Sequence, residues 1–444
     1  MSIIKDRYES WDPNVTYVVG HQRPDTDSIA SALGYAWYLS QTSTDITVVA
    51  ARAGQPGKQA LFAIKRFEQP NPQLLTGVAP TFGHAARRQP FVRPTEGLPA
   101  AMMRVAEGER VIPLVDEDNI PHGVVTSLAL ARAYTAPVNI MQTLAQPCSS
   151  LAEPPQLFYS RDKISDHRNS LLRSENDDFL VVNDEGKYVG VATRRRILEP
   201  PRARLFLVDH NELAQAVTDA EEAEIVGVLD HHRLGNSPTA SPIPFVVDVV
   251  GSTSTLVAEL CKTAGLTPPS GLAGMLLSGI LSDTLVFRSP TTTPRDTVCA
   301  EWLSALAMVD RFAYGEELLH AAPGLGARTV QEILDNDRKI YQMGGHPVSL
   351  AQVEVTGYQS LPERREELLA TMEEWRQREG TSLFGLMVTD VVTGTSRMLT
   401  RGDKWVMTAL PFNRIGEGEY DLEGMVSRKK QLVPALSAIL DETR

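Results

Sequence analysis

Residues 15–20 (VTYVVG) form a run of β-branched and aromatic positions that stops at Gly20. After a polar loop, SIASALGYAWYLSQ repeats its apolar positions at helical spacing, so the first unit reads strand, loop, helix. A second apolar run, ITVVAA, starts at Ile46, and residues 58–68 follow as a short amphipathic helix. The same alternation returns far downstream with strands RLFLVD (204–209), EIVGVLD (224–230) and FVVDVV (245–250). A helical stretch is expected from Glu212, and further helices over 252–264, 270–281 and 294–307. Strands alternating with helices predict a mostly parallel sheet covered on both faces.

Between these blocks, over residues 76–203, the pattern changes to a unit that occurs twice. One copy runs through GLPAAMMRVAEG, RVIPLVDEDN, HGVVT and SLALARAY; the other through KISDHRNSLLRSEN, DFLVVNDEGKYVGVAT and RRRIL. Each reads helix, hairpin, helix, with turns at Asp118-Asn119 and Glu185-Gly186. A repeated supersecondary unit inside an α/β alternation reads as an insertion, and these two copies resemble a tandem pair of CBS domains. The small-residue run APGLGAR (322–328) reads as a hinge. Beyond it come strands over 346–355 and 382–392, the helix PERREELLATMEEWRQREG between them, and a terminal SRKKQLVPALSAIL.

At 444 residues the chain exceeds one ordinary hydrophobic core. The expected organisation is an α/β domain in two parts, 1–75 and 204–321, interrupted by the insertion 76–203, then the hinge 322–328 and a smaller α/β domain, 329–444. A hydrophobic fraction of 42% with 22% charged residues is that of a globular chain. No stretch approaches the roughly 18–20 apolar residues of a membrane helix, which excludes a membrane protein of that kind. The N-terminus MSIIKDRYES has no basic segment leading into an apolar core, so a cytoplasmic location is expected. Cys148, Cys261 and Cys299 are odd in number and widely spaced, which fits core thiols and neither a disulfide framework nor a thiolate zinc site. A net charge of -12 disfavours a polyanionic partner, so no nucleic acid is expected.

Candidate chemistry concentrates where apolar elements stop. His21, Asp25 and Asp27 of GHQRPDTDS follow the first strand, at the edge of a parallel sheet where ligands bind. The bland reading is that Asp25 and Asp27 cap the following helix. Three other segments weigh against it: Asp209 ends RLFLVD, Asp230, His231 and His232 end EIVGVLD, and Asp283 ends GMLLSGILSD. Carboxylates and imidazoles brought together repel unless cations are present, and a mixed oxygen and nitrogen set suits manganese, cobalt, iron or zinc rather than calcium. Together they read as a site for two or more metals. Ser252, Thr253 and Ser254 of GSTSTL either cap the following helix or donate near phosphate. His84, His122, His167, His320 and His346 match no pattern and read as surface or packing residues, and His210 as a neighbour of the ligands.

The ordered set GHQRPDTDS, LVDHNE, LDHH, GSTSTL, LSDTLVFRSPTTT and SRKKQ resembles the DHH phosphoesterase superfamily, and within it the family II inorganic pyrophosphatases. With the tandem insertion, the chain is similar to the CBS-containing subclass. The resemblance implies that His21 and Asp25 bind one metal, Asp27, His231 and Asp283 the other, and that Asp209 bridges both. It implies manganese or cobalt as the preferred ions, magnesium with the substrate, and a hydroxide between the ions as nucleophile. His232 then contacts substrate or moves a proton, and Lys339 of NDRKIY with Arg428 and Lys429 of SRKKQ hold pyrophosphate. A homodimer is implied by the same resemblance.

This sequence also departs from the family pattern. CBS pairs often bind adenine nucleotide through an acidic residue in GxxTxxD, but here Ala129 and Arg196 stand at that place. An adenine nucleotide at the pair is an expectation without its usual ribose contact, and the Arg194–Arg196 run either meets phosphates or starts a solvated helix. Arg23 stands where members often carry Asn, and GQPGKQA (54–60) differs from the family's Asn- and Glu-bearing version. The rival readings are another DHH phosphoesterase, an exopolyphosphatase or nanoRNase, and a nucleotide-sensing protein with a vestigial hydrolase. The SRKKQ terminus counts against the nucleic-acid members of the first, the intact ligand set against the second.

Overall fold

The computed structural model describes residues 11–442 apart from 136–138, 236–238, 240, 322–324, 326–327, 356, 359 and 391–392. Much of the expected hinge therefore lies outside the described residues. The chain divides into two compact units, one of residues 1–24, 31–55 and 71–249, the other of residues 25–30, 56–70 and 250–444.

In the first unit, six strands form a sheet: β1 (Val15–Val19), β2 (Thr47–Arg52), β3 (Gln73–Leu74), β4 (Arg204–Val208), β5 (Glu224–Asp230) and β6 (Phe245–Val247). Their order is β6-β5-β4-β1-β2-β3 and every pairing is parallel. Helices α1 (Thr26–Thr42) and α2 (Lys58–Arg66) follow β1 and β2 in the chain. Because β1 feeds outward to β2 and β3 while β4 returns to its other side, the strand order reverses between β1 and β4. In such sheets the carboxyl ends flanking that reversal leave a crevice. Alternate residues Tyr17, Val19, Leu205, Leu207 and Val228 pack on one face with Trp11, Leu75 and Val217. Gly227 makes room for Phe206, since a Cβ there would lie 2.1 Å from its ring.

Two expectations fail in this unit. The segment from Glu212 is no α-helix but two 3-10 turns, Leu213–Gln215 and Ala220–Glu222. Gln22 takes the carbonyls a helix would use, its amide N bonding Gln215 O at 2.8 Å and its side chain Ala214 O at 2.6 Å. Asp219 then adopts a left-handed φ of 63°, which breaks any helical continuation. The strand expected over 245–250 stops at Val247.

The insertion shows the repeat. Its first copy pairs Val111–Val115 with Pro121–Thr126, and its second pairs Asp178–Val182 with Tyr188–Thr193, both antiparallel. Helices Leu98–Ala106 and Ser127–Thr135 flank the first hairpin, Arg168–Arg173 and Arg194–Leu198 the second. Both turns use the residues the sequence marked, Asn119 at φ 66° and Gly186 at φ 76°. The copies join through Val115, Val124, Leu180, Tyr188 and Val191, and through Tyr188 N bonding Asn119 O at 2.8 Å.

The second unit carries helices α3 (Thr253–Thr263), α4 (Ser270–Asp283), α5 (Pro294–Ala307) and α6 (Arg311–His320). Helix α4 is apolar all round and packs against the other three, so residues 272–281 are all buried. A mixed sheet follows, ordered β7-β8-β9-β10-β12-β11, from β7 (Lys339–Met343), β8 (His346–Val355), β9 (Leu383–Asp390), β10 (Thr395–Gly402), β11 (Asn413–Gly416) and β12 (Glu419–Asp421). Leu368, Met372 and Trp375 of α7 (Leu361–Glu379) cover one face over Phe384 and Leu386. Leu436 and Leu440 of α8 (Val433–Glu442) cover the other over Leu383 and Met387. β9 lies between both layers and is buried at every position.

Candidate metal centre

His21 follows β1 and Asp209 follows β4, so the strand-order reversal sets them side by side. Asp209 leaves the strand at a left-handed φ of 61° and is 1% exposed. His21 Nε2 lies 3.5 Å from its Oδ2, and His231 Nε2, from the end of β5, lies 3.4 Å from its Oδ1. One ligand atom from each of Asp209, His231 and His232 falls within 4.8 Å of the others. Burial alone raises the Asp209 carboxyl, but the imidazoles of His21 and His231 outweigh it and hold the acid well below the usual carboxylate range.

His232 is set differently. Its Nδ1 lies 2.9 Å from Asp230 Oδ1, while 53% of its side chain is exposed. Asp230 is fully buried, and it also accepts from the backbone amides of His231 at 2.8 Å and His232 at 3.1 Å, and from Asn211 Nδ2 at 2.6 Å. The Asp230 carboxylate raises the His232 imidazole above its ordinary value. Asp230, which holds His232, and Asn211, which holds Asp230, are neighbours to which the sequence assigned no role. His210 is buried with Nδ1 on Val208 O at 2.9 Å, and burial pushes its pKa down to about 4.

The second unit holds the remaining acids. Asp25 Oδ1 accepts from Ser28 N at 2.9 Å, so Asp25 does cap the start of α1. Asp27 does not. Its carboxylate receives Ser252 Oγ at 2.7 Å, Thr253 N at 2.7 Å, Ser254 N at 3.0 Å and Ser254 Oγ at 2.5 Å. The GSTSTL segment thus turns its two serine hydroxyls and the amides of Thr253 and Ser254 to the Asp27 carboxylate, besides Ser252 capping the helix. Gly279 of α4 lets this cluster close, because a Cβ there would meet Ser254 Oγ at 2.3 Å and Asp27 Oδ1 at 2.6 Å. Gln59, within the departed segment GQPGKQA, accepts from Thr26 Oγ1 at 3.0 Å and from Ser282 Oγ at 2.8 Å, tying the residues beside Asp27 and Asp283 together. Asp283 ends α4, and the three residues Leu285, Val286 and Phe287 all take left-handed φ values of 50°, 55° and 65°.

Of the expected substrate cations, Lys339 opens β7 and Lys429 follows in the SRKKQ turn, both exposed. Arg428 is buried, with Nη1 donating to Leu350 O at 3.1 Å and Nη2 2.8 Å from Asp337 Oδ2. In the insertion, Arg194 bonds Asp177 at 2.8 Å and the carbonyls of Leu171, Ser174 and Asn176, and Arg196 bonds Ala85 O at 2.8 Å. Arg195 lines a cavity of ≈ 390 Å³ with Arg87, Thr193 and Glu199. The histidines outside the pattern behave as packing or surface residues: His84 stacks on Trp11 at 3.7 Å, and His122 pairs with Asp116 at 2.7 Å. All three cysteines are buried. Among the described residues no helix is long and apolar enough to cross a membrane.

Known proteins match this chain along most of its length. A model described as the DHH family, N-terminal domain, matches residues 15–280, and one described as the DHHA2 domain matches residues 316–439. A Thermotoga maritima protein named as a probable manganese-dependent inorganic pyrophosphatase is 27% identical over 96% of this chain and 99% of its own. A Streptococcus agalactiae protein of the same name is 37% identical over 60% of this chain and 86% of its own. A Methanococcus jannaschii crystal structure described as a "putative family II inorganic pyrophosphatase" superposes with a TM-score of 0.51 at 24% identity, covering 96% of this chain and 99% of that one. This last likeness concerns the fold.

Proposed function

The chain belongs to the DHH family, as a family II inorganic pyrophosphatase that also carries a DHHA2 domain, and from that premise we propose that it hydrolyses pyrophosphate to two phosphates with divalent manganese. Cobalt is the expected substitute, and magnesium the expected companion of the substrate. The observation that carries the reading is Asp209, a buried carboxylate with an imidazole nitrogen 3.4 Å from one oxygen and another 3.5 Å from the second. Those separations exceed a good hydrogen bond and suit donors arranged around cations. A mixed carboxylate and imidazole set fits manganese or cobalt.

His21 and Asp25 are the proposed ligands of one ion and Asp27, His231 and Asp283 of the other, with Asp209 shared. When bound, two such ions neutralise phosphoryl oxygens and acidify water. Ser252, Ser254 and the α3 amides hold Asp27 in one orientation, so that no carboxylate rotation is needed when substrate arrives. His232, fixed through Nδ1 by Asp230, presents Nε2 as the atom that holds a proton for the departing phosphate. Lys339, Arg428 and Lys429 supply the positive charge that binds pyrophosphate.

The insertion is proposed as a regulatory pair that takes an adenine nucleotide, with Arg87 and Arg195 as the cations offered to its phosphates. Arg194 and Arg196 are spent on carbonyls. Calorimetric titration with AMP, ADP and ATP tests this: no heat with any of them removes the nucleotide from the reading. The hydrolase assignment is tested by phosphate release from pyrophosphate, tripolyphosphate and a short oligonucleotide with manganese present. Pyrophosphate is expected to turn over fastest, and faster turnover of the oligonucleotide would reassign the chain to the nuclease members of the family.

A further inference from the structure

The two segments that carry the substrate cations are fastened to one point on β8. Gln352 accepts the Arg428 backbone N–H at 3.1 Å through Oε1 and donates through Nε2 to Val426 O at 3.1 Å. Its own main chain bonds the other segment, with Asn336 Nδ2 on Gln352 O at 2.8 Å and Gln352 N on Asn336 O at 3.3 Å. The turn that precedes Lys339 is anchored as well: Arg338 pairs with Glu379 at 2.7 Å and lies over the Trp375 ring at 5.1 Å.

One charge links the two segments. Arg428 is 1% exposed, and a guanidinium taken out of water needs a counter-charge and filled donors. Asp337 provides the charge at 2.8 Å from Nη2 and Leu350 O takes Nη1 at 3.1 Å, while Nε and Nη2 are buried without a hydrogen-bond partner among the described residues, so the guanidinium is held on one side with donors still to be filled. Asp337 accepts a left-handed φ of 44° in doing so and keeps its side chain half exposed. A strained polar residue held at a cation suggests that its place there matters. A planar guanidinium binds phosphate through two parallel N–H donors, and that geometry is useful only if the plane is set before the anion arrives.

We propose that Asp337 is a positioning residue: it presets the Arg428 guanidinium for pyrophosphate and couples it to the turn that carries Lys339. The inference rests on Arg428 being a substrate cation, and the test separates the two. KM and kcat for pyrophosphate are measured with the full chain and manganese for wild type, Asp337→Ala, Asp337→Asn, Arg428→Ala and the double variant Asp337→Ala/Arg428→Ala, with melting temperatures alongside. Asp337→Ala is expected to raise KM about tenfold with kcat within about threefold, the pattern of lost uniform binding. Asp337→Asn, which keeps an acceptor of the same shape but loses the charge, is expected to recover only a minor part of the change, and the double variant to match Arg428→Ala within about twofold. A KM that stays at the wild-type value or falls in Asp337→Ala overturns the proposal, a fall meaning that the carboxylate competes with substrate. An equal additional loss in the Arg428→Ala background also overturns it, since Asp337 would then act through something else. If Arg428→Ala itself leaves KM unchanged, the assignment of Arg428 as a substrate cation is what fails.

Discussion

Asp27 shows how one residue's role depends on what surrounds it. A carboxylate at the start of a helix ordinarily caps that helix, yet Asp27 accepts four hydrogen bonds from Ser252, Thr253 and Ser254. Outer partners of this kind typically account for about 10- to 100-fold in metal affinity or activity. Ser252→Ala with Ser254→Ala is accordingly expected to lower manganese affinity by that order, read by titration calorimetry. Gly279→Ala is expected to do the same by intrusion, because its Cβ would lie 2.6 Å from Asp27 Oδ1. An unchanged affinity in both would mean that Asp27 needs no such support. The sequence exposed the acids and histidines because they interrupt apolar runs. It did not expose Gly279, Gln59 or Asp337, whose work consists of a close approach or a bond to a distant segment. The cysteines belong to this scale too: burial pushes Cys261 and Cys299 up to about 11, so little thiolate exists at pH 8. Both are expected to resist a disulfide reagent until denaturant is added, and rapid labelling of the native chain would contradict their burial.

Among the elements, the turn after α4 stands out. Three consecutive residues other than glycine, Leu285, Val286 and Phe287, take left-handed angles directly beyond Thr284, the residue after Asp283. Each such residue costs roughly 1–2 kcal/mol, and the β-branched Val286 is the least suited of all. Val286 is buried against Gly315, where a Cβ would lie 2.7 Å from a Val286 methyl, so packing offsets part of that cost. Leu285→Gly relieves strain at one position and loosens the turn. We expect the melting temperature to hold or rise while kcat for pyrophosphate falls at least about threefold; a lower melting temperature with unchanged kcat would show that the turn serves stability alone. Strands and long helices were legible from periodicity, because β1, β4, β5, β8 and α4 each bury what the pattern says they should. The turns from Glu212 were not, since Gln22 captures carbonyls that helical periodicity assumes are free to bond within the segment.

For the molecule as a whole, the central feature is a parallel sheet interrupted in the chain but continuous in space. The strand that follows the insertion, β4, pairs directly with β1, so 128 residues from 76 to 203 leave the order of the sheet intact. The insertion is nonetheless attached: His84 stacks on Trp11 at 3.7 Å, and Lys163 pairs with Asp219 at 2.8 Å. Trp11 is 2% exposed and belongs to the core of the sheet, so Trp11→Ala is expected to cost about 3–5 kcal/mol, read from urea unfolding. A loss below about 1 kcal/mol would mean that the stack contributes little to stability. The repeat, its hairpin turns and the α/β alternation were all legible in the sequence, because each is a local pattern. The strand order was not local, and the order is what sets His21 beside Asp209.

The most direct test of the account is the number of manganese ions bound and their coupling. Titration calorimetry with electron paramagnetic resonance on the full chain is expected to find two tight ions per chain with an exchange-coupled signal, and Asp209→Asn is expected to abolish that coupling together with pyrophosphate hydrolysis. A single bound ion, or a coupled pair that survives in Asp209→Asn, would contradict the shared carboxylate at the centre of this mechanism.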